Sequence, residues 1–441
     1  MSDRPVIPLK VKSGKPSPEV LAQLDRHWRS RYLMLAPHRL GFFLAMVLLV
    51  ASGAWWALVQ VSRISDGALP MHFGLSPSLL HAAVMVFGFI PLFFSGFLFT
   101  AGPKWLGVEP WETTALRPAL VLQAAGWLVW LAGGHIDSVL ALLGGCVAWV
   151  GLAWMASLFW RLVLCSQAPD QVHARAIGVA LGVGVLSLLG MCLSLVCGAQ
   201  DIARVFVLTA LWGFVLVVYA TVAHRMIPFF TSSAMPFIQV WRPFWLLWLM
   251  LGAAMFEAAA VWVEYDGPLR GPVAPVWILV RGVLEIGVGA VLLWLAGVWG
   301  LVQSLKNRLL AMLHIGFFWL GLSFVLGGIS QFLTLFFESP HMGLGALHAL
   351  TMGCLGSLML AMVTRVSCGH SGRALVADRI AWSLFWVLQV ATVLRIAAAF
   401  PTGQEQRLLV TASLLWAGCM AVWGVRLGAW YGRLRADGRP G

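Results

Sequence analysis

Long apolar runs dominate the chain, and short breaks rich in charge, proline or glycine separate them. Most runs are about 20 residues or longer, enough for a helix to cross the hydrocarbon core of a bilayer. The pattern predicts twelve membrane-spanning helices, at 40–62, 78–101, 115–133, 138–161, 176–198, 202–224, 243–263, 275–302, 309–337, 342–364, 379–399 and 408–430.

Composition supports the same class. The 441 residues are 60% hydrophobic and 10% charged, far from the balance of a soluble domain. We therefore predict an all-α polytopic membrane protein. It consists of a basic segment at 1–39, a twelve-helix domain at 40–432 and a tail at 433–441. Within the first segment, the Ser17-Pro18 start predicts a helix to about Tyr32 that lies on the membrane surface.

Charge predicts the orientation. With both termini cytoplasmic, 23 of the 29 Lys and Arg residues fall at or near the cytoplasmic side, and six fall at the outer side. The net charge of +12 is thus explained by topology, and no basic stripe between aromatic platforms points to nucleic acid. We expect a multi-pass protein with both termini in the cytoplasm.

Two histidines near the outer ends of predicted helices share a local pattern. His81 in the second span and His348 in the tenth are each the second residue of an L-H-A-x-x-M motif. The two motifs end at Met85 and Met352. A haem between the two helices would take one imidazole on each face. Alternatively, the two histidines and two methionines suit copper, or the imidazoles are hydrogen-bonded core residues.

Two arginines lie at about the same depth as these histidines. Arg281 in the eighth span and Arg395 in the eleventh could bind haem propionates, because a guanidinium matches a carboxylate. For Arg281 the alternative is neutralisation by Glu285, one turn away, or by Glu257.

Polar motifs also mark the cytoplasmic helix ends. They suggest an anion or small-ligand site, but basic helix ends with Gly or Pro are also what topology and helix termination require. The candidate residues are His224, Arg225, His314, Arg365, His370 and Arg373.

Several motifs are missing from the sequence. It has no P-loop, no HExxH and no CxxCH, so ATP-driven pumping is disfavoured and any haem would be non-covalent. The seven cysteines include no CxxC pair, which disfavours a zinc site and a disulfide framework.

At its polar motifs the chain resembles the NnrS family of bacterial membrane proteins. One block is H-A-x-x-M-x-x-G-F from His81, followed by G-F-L-x-T-A-x-P-x-W from Gly96. A second is R-M-I-P-F-F-T from Arg225. The third is L-H-A-L-T from Leu347, with T-R at 364–365 and G-H-S-G-R at 369–373.

This resemblance implies haem b, copper, nitric oxide stress and denitrification, in the bacterial inner membrane. The family's first block commonly reads W-H-A-H-E-M, whereas this chain has Ala83 and Val84 in place of the second histidine and the glutamate. Copper is therefore less expected than haem. Twelve spans with histidines on the second and tenth also resemble the catalytic subunit of haem-copper oxidases, without its oxygen-reducing centre.

The hypothesis from sequence is a haem protein that responds to nitric oxide, with denitrification membrane proteins as partners. The alternatives are a transporter of a small solute, metal or haem, and a structural partner of a denitrification complex. The sequence does not establish catalysis.

Overall fold

The computed structural model describes residues 27–265, 273–337, 342 and 344–437. In this part of the chain all regular structure is helical, and twelve helices are long and apolar enough to cross a membrane. We number these helices α1 to α12: Pro37–Ser62, Pro77–Leu106, Thr113–Ile136, Ser138–Cys165, Val172–Val196, Gln200–Ala234, Phe244–Val263, Val273–Val298, Arg308–Phe337, Gly345–His370, Arg379–Ala397 and Glu405–Tyr431. The predicted all-α polytopic fold is confirmed, and its surroundings are a lipid bilayer.

The helices form one closed bundle, in which the first and last helices pack against each other. Helix α2 is the most enclosed, with 83% of its apolar window buried, whereas α8 has only 22% buried. Because α6, α9 and α10 are also two-thirds buried, these four helices form the centre. The centre is where polar groups can be shielded from lipid.

Helices α2, α6 and α10 each contain a π-helical segment, at Val84–Gly88, Leu211–Leu216 and Ala349–Gly356. The sequence analysis did not predict these wide turns. Among the described residues they recur on every fourth long helix. Such segments are rare and are frequent at functional sites.

The C-terminal boundaries predicted for the same three helices were wrong. They were expected to end at 101, 224 and 364, but they continue to Leu106, Ala234 and His370. Pro103 and Pro228 lie inside α2 and α6 rather than stopping them. The actual stop of α2 is Gly107, whose φ of +63° suits glycine.

Polar motifs assigned to cytoplasmic connections are therefore largely helical. The connection expected at 225–242 is reduced to 235–243, and His173, also assigned to a connection, lies in α5. We call the end of the bundle where α2 begins the outer end and the opposite end the inner end, following the orientation that charge predicts.

The first and last described segments meet at the inner end. The predicted surface helix at 17–32 falls mostly outside the described residues, and its last part belongs to a 3₁₀ helix, Ser30–Leu35. The Trp28 indole donates to the carbonyl of Gly428, and the Arg29 amide donates to that of Gly432. The segment thus packs against the end of α12. Helix α1 begins at Pro37, so the last residues of the predicted first segment belong to the bundle.

Candidate haem site at the outer end

The structure brings His81 and His348 together at the outer end. His81 is the fifth residue of α2, which begins at Pro77, and His348 is the fourth residue of α10. Each imidazole is therefore about one turn inside its helix. The two rings lie close enough to interact electrostatically. The repeated L-H-A-x-x-M pattern thus places both imidazoles at about the same depth, and their shared ligand stays a prediction.

One hydrogen bond orients the His348 ring. His348 Nδ1 lies 2.8 Å from the carbonyl oxygen of Leu344, an acceptor only, so Nδ1 carries the proton and donates. Nε2 then keeps its lone pair, and a bond from the other ring nitrogen to a backbone carbonyl is the usual support of a metal-binding histidine. His348 has the tautomer that binds a metal through Nε2.

The His81 ring is held by stacking. It lies parallel to the Trp56 indole of α1, with 3.9 Å between the ring centroids and 14° between the planes. His81 Nδ1 is buried and has no hydrogen-bond partner among the described residues. A buried polar atom without a partner calls for a specific explanation, and a bound group is one.

Arg395 of α11 acts electrostatically on both histidines. Its guanidinium is half-buried, and the described part of the chain provides it with neither a hydrogen bond nor an ion pair. Buried arginines normally pair with an anion, because an unpaired charge in a medium of low dielectric is unfavourable. Arg395 is therefore a candidate partner for an anionic group of a ligand.

Met85 and Met352 lie in the π-helical segments that follow the two histidines. Both side chains are half-buried. In the described residues no group of three or more His, Cys, Asp or Glu side chains could hold a metal ion. A copper site here would depend on the thioethers.

Arg281 has a different environment. Its Nη2 lies 2.6 Å from Glu257, its Nη1 2.5 Å from Glu264, and its Nε 2.9 Å from Glu285. All of its nitrogens are thus bound by carboxylates of α7, α8 and the residues next to α7. The geometry favours the neutralisation that the i,i+4 spacing with Glu285 indicated, rather than a propionate role.

The sequence profile described as NnrS protein matches residues 32–435, nearly the whole chain. The chain belongs to the NnrS family. No curated protein gives a significant match. Membership supports a membrane protein linked to nitric oxide stress, the broad function that the motifs predicted.

At the inner end of this NnrS-family protein, His224 and His314 are hydrogen-bonded in the core, and His370 contacts another histidine ring. His224 Nε2 donates to Pro243 O at 3.2 Å, and its Nδ1 accepts from His173 Nε2 at 3.0 Å. His314 Nε2 lies 2.9 Å from Thr231 Oγ1, and the His370 ring lies 4.4 Å from that of His38. These contacts support the structural interpretation.

The three inner-end arginines lie over aromatic rings. Arg225 lies 5.0 Å from the Trp105 ring centroid, Arg365 lies 4.0 Å from that of Phe230, and Arg373 lies 4.3 Å from that of Trp430. Burial lowers the pKa of Arg373 from its usual value. These contacts place the six predicted residues in several separate groups. A single ligand site at the inner end stays a prediction.

Sequence reasoning missed Trp56 and Glu264 at the outer end and Trp416 deeper in the bundle. Trp56 had no distinguishing signal among 24 tryptophans. Trp416 of α12 lies between Gly53 and Gly356, and its indole nitrogen is buried without an acceptor in the described residues. Glu264 could have been found, because it follows Glu257 by seven residues and so continues the same helix face.

Proposed function

We propose that this NnrS-family protein binds a non-covalent haem b at its outer end, and that the haem interacts with nitric oxide. His81 and His348 would hold the haem iron, and Arg395 would pair with a haem propionate. The observation that carries the proposal is the unpaired Arg395 guanidinium beside two histidines. One ligand supplies what all three need, namely a metal and an anion.

The residues present fit this group. The haem iron supplies the binding site for nitric oxide and the capacity to accept or donate an electron. His348 presents Nε2 because Leu344 fixes the proton on Nδ1. Trp56 restricts rotation of the His81 ring by stacking. The Arg63 guanidinium lies over the Trp56 indole, 5.4 Å from its ring centroid.

The coordination number decides the chemistry. If both imidazoles bind the iron, no position is open for nitric oxide, and electron transfer is the favoured role. If one imidazole binds, the open position admits nitric oxide directly. Copper between the two histidines, Met85 and Met352 is the competing occupant, supported only by the thioethers on the adjacent π turns.

The test is the optical spectrum of the purified protein, oxidised and reduced, before and after addition of nitric oxide. We expect a Soret band in the wild type and its loss or strong reduction in both His81→Ala and His348→Ala. The matched control is His135→Ala, which removes an outer-end histidine that bonds to Trp55 Nε1 and His72 O instead. It should retain haem.

Two outcomes would contradict the proposal. One is a wild-type protein without haem after expression with ample haem. The other is full haem retention in both single mutants. A haem-free protein with bound copper would favour the thioether site.

One observation favours transport as the second candidate function. A cavity of about 470 Å³ lies between α6, α7, α8, α9 and α10 toward the outer end and is lined by both charged and aromatic side chains. A transporter needs such a cavity within the bundle. Solute flux into proteoliposomes by protein without haem would favour this function.

A further inference from the structure

The cavity between α6 and α10 contains an excess of buried negative charge. Glu257, Glu264 and Glu285 all bind one guanidinium, that of Arg281. Three carboxylates against one arginine leave two uncompensated negative charges if all are ionised. Glu257 is 1% exposed and Glu285 is 4% exposed, so water screens these two poorly.

The arginine uses only one oxygen of each buried carboxylate. Glu257 Oε2 and Glu285 Oε1 bind Arg281, whereas Glu257 Oε1 and Glu285 Oε2 are buried and have no hydrogen-bond donor among the described residues. Glu285 Oε1 lies 2.9 Å from Arg281 Nε and Glu257 Oε2 lies 2.6 Å from Arg281 Nη2, so two nitrogens of one guanidinium hold the two carboxyl groups side by side. Two buried carboxylate oxygens without a donor, on groups held by one arginine, favour a bound proton.

The other groups around the cavity do not remove the charge excess. Helix α6 contributes Asp201 and Arg204, an oppositely charged pair, and Arg204 donates to Ser78 Oγ at 2.9 Å. Besides Glu264, Tyr265 is the titratable side chain that follows α7. The described lining residues of α9 and α10 carry no charge and include Ser323, Ser330, Gln331 and Leu347.

Arg281 takes the position among the three carboxylates that a metal ion would need. It binds each of the three glutamates with a different nitrogen, so it occupies the point where a metal would lie. In the described residues no metal-binding group of His, Cys, Asp and Glu is present. A proton needs no space of its own, which leaves it as the chemically consistent ligand.

We propose that Glu257 and Glu285 form a proton-binding carboxyl pair inside the membrane, reached from the outer end through this cavity. The proton is taken from water and bridges Glu257 Oε1 and Glu285 Oε2, and the pair returns it by the same route. The cavity borders both helices of the histidine site, at Leu347 beside His348 and at the Arg204–Ser78 bond to α2. The pair itself does not require haem.

Infrared spectroscopy of the purified full-length protein tests the pair. At pH 7 we expect a carboxylic-acid carbonyl band in the wild type that shifts in deuterated water. Glu257→Gln and Glu285→Gln should each lose it, because either change removes half of the pair. The matched control is Glu112→Gln, at an exposed carboxylate in the connection before α3, and should keep the band.

Gly327→Ala provides a second variant that leaves both glutamates in place. A methyl group at Gly327 of α9 would lie 2.9 Å from Glu285 Oε2, tighter than normal contact, so the band should shift in frequency. If the glutamine variants do not fold, this shift decides. The proposal is overturned if the wild type shows no such band, if both glutamine variants keep it, or if Gly327→Ala leaves it unchanged.

Discussion

Arg395 and Arg281 show how similar residues in sequence can have different surroundings in the fold. Its guanidinium lies beside His81 and His348 and has no anionic partner in the described part of the chain. Arg281, at similar depth, has three. Both looked alike in sequence because each is a single arginine in an apolar helix. Only the side-chain partners distinguish a satisfied charge from one that awaits an anion.

Arg395→Gln should weaken haem binding. A hydrogen bond to a charged group is worth about 1.5–3 kcal/mol, so we expect a loss of about 10- to 100-fold in affinity. Titration of haem into the apoprotein measures it. Arg407→Gln, an outer-end arginine that bonds only to Gln404 among the described residues, is the control. Equal affinity of Arg395→Gln and wild type would argue against the propionate contact.

Asp378 gives the inner end a pH dependence. Its carboxylate accepts from Arg426 and from the Ala381 amide at the start of α11, and these bonds hold the pKa of Asp378 below its usual value. Its stabilising contribution is therefore complete above about pH 4 and is lost as the pH falls through the lowered value.

Asp378→Ala should lower the free energy of unfolding by about 1 kcal/mol at neutral pH, because the helix loses its capping side chain. Thermal unfolding in detergent measures this. The variant should also lose part of the acid sensitivity below pH 4. A variant as acid-sensitive as the wild type would assign that sensitivity to another group.

Sequence was sufficient to predict the depth of both outer histidines, because the repeated L-H-A-x-x-M pattern lies near the start of two helices. It could not identify Trp56, whose stacking on His81 depends on how α1 is rotated against α2. That rotation is set by packing between helices distant in the chain. No local pattern encodes it.

At the scale of the helix, small residues determine how closely α3 and α4 pack. Gly126 and Gly133 of α3 are seven residues apart, and so are Gly144 and Gly151 of α4. Each of these glycines faces backbone atoms of the partner helix. Small residues let membrane helices approach closely and gain van der Waals contact, which stabilises the pair without a hydrophobic driving force.

Gly126→Ala should destabilise this pair by about 1–3 kcal/mol, since the added methyl group would lie 2.5 Å from the Ala148 nitrogen. The readout is the thermal unfolding midpoint in detergent. Gly182→Ala in α5 is the control, because a methyl group there meets no atom within 4 Å. If both variants lower the midpoint equally, the effect is not one of close packing.

Helix ends were the part of the fold least accessible from sequence. Pro103 and Pro228 predicted stops, yet α2 and α6 continue beyond them. A proline in a membrane helix is tolerated where neighbouring helices and local backbone adjustments satisfy the freed carbonyl groups. The central position of α2 and α6 provides such neighbours, and this position is known only from the fold.

At the scale of the whole molecule, the described terminal segments meet. Trp28 and Arg29 bond to the carbonyls of Gly428 and Gly432, and Arg39 donates to the carbonyls of Tyr431 and Arg433. The twelve spans thus close into a bundle in which the first and last described segments share one side. The count of spans from sequence was sufficient for this, because even numbers return the chain to its starting side.

We expect this shared side to be the cytoplasm. A fluorescent protein that folds only in the cytoplasm should fluoresce when fused to either terminus, and alkaline phosphatase fused there should be inactive. Fusions in the connection between α1 and α2, predicted to lie outside, are the reciprocal control. The opposite pattern would reverse the orientation and place the histidine site toward the cytoplasm.

The three π-helical segments have a consequence for how the outer end can be adjusted. A wide turn accommodates one residue more than an α turn, so each segment is equivalent to a single inserted residue. Deleting Val86 would return α2 to a continuous α-helical phase and rotate His81 about the helix axis by about 100° relative to the inner half. The direction in which the His81 imidazole faces thus depends on the length of one turn of α2. It is set separately from the helix packing deeper in the bundle.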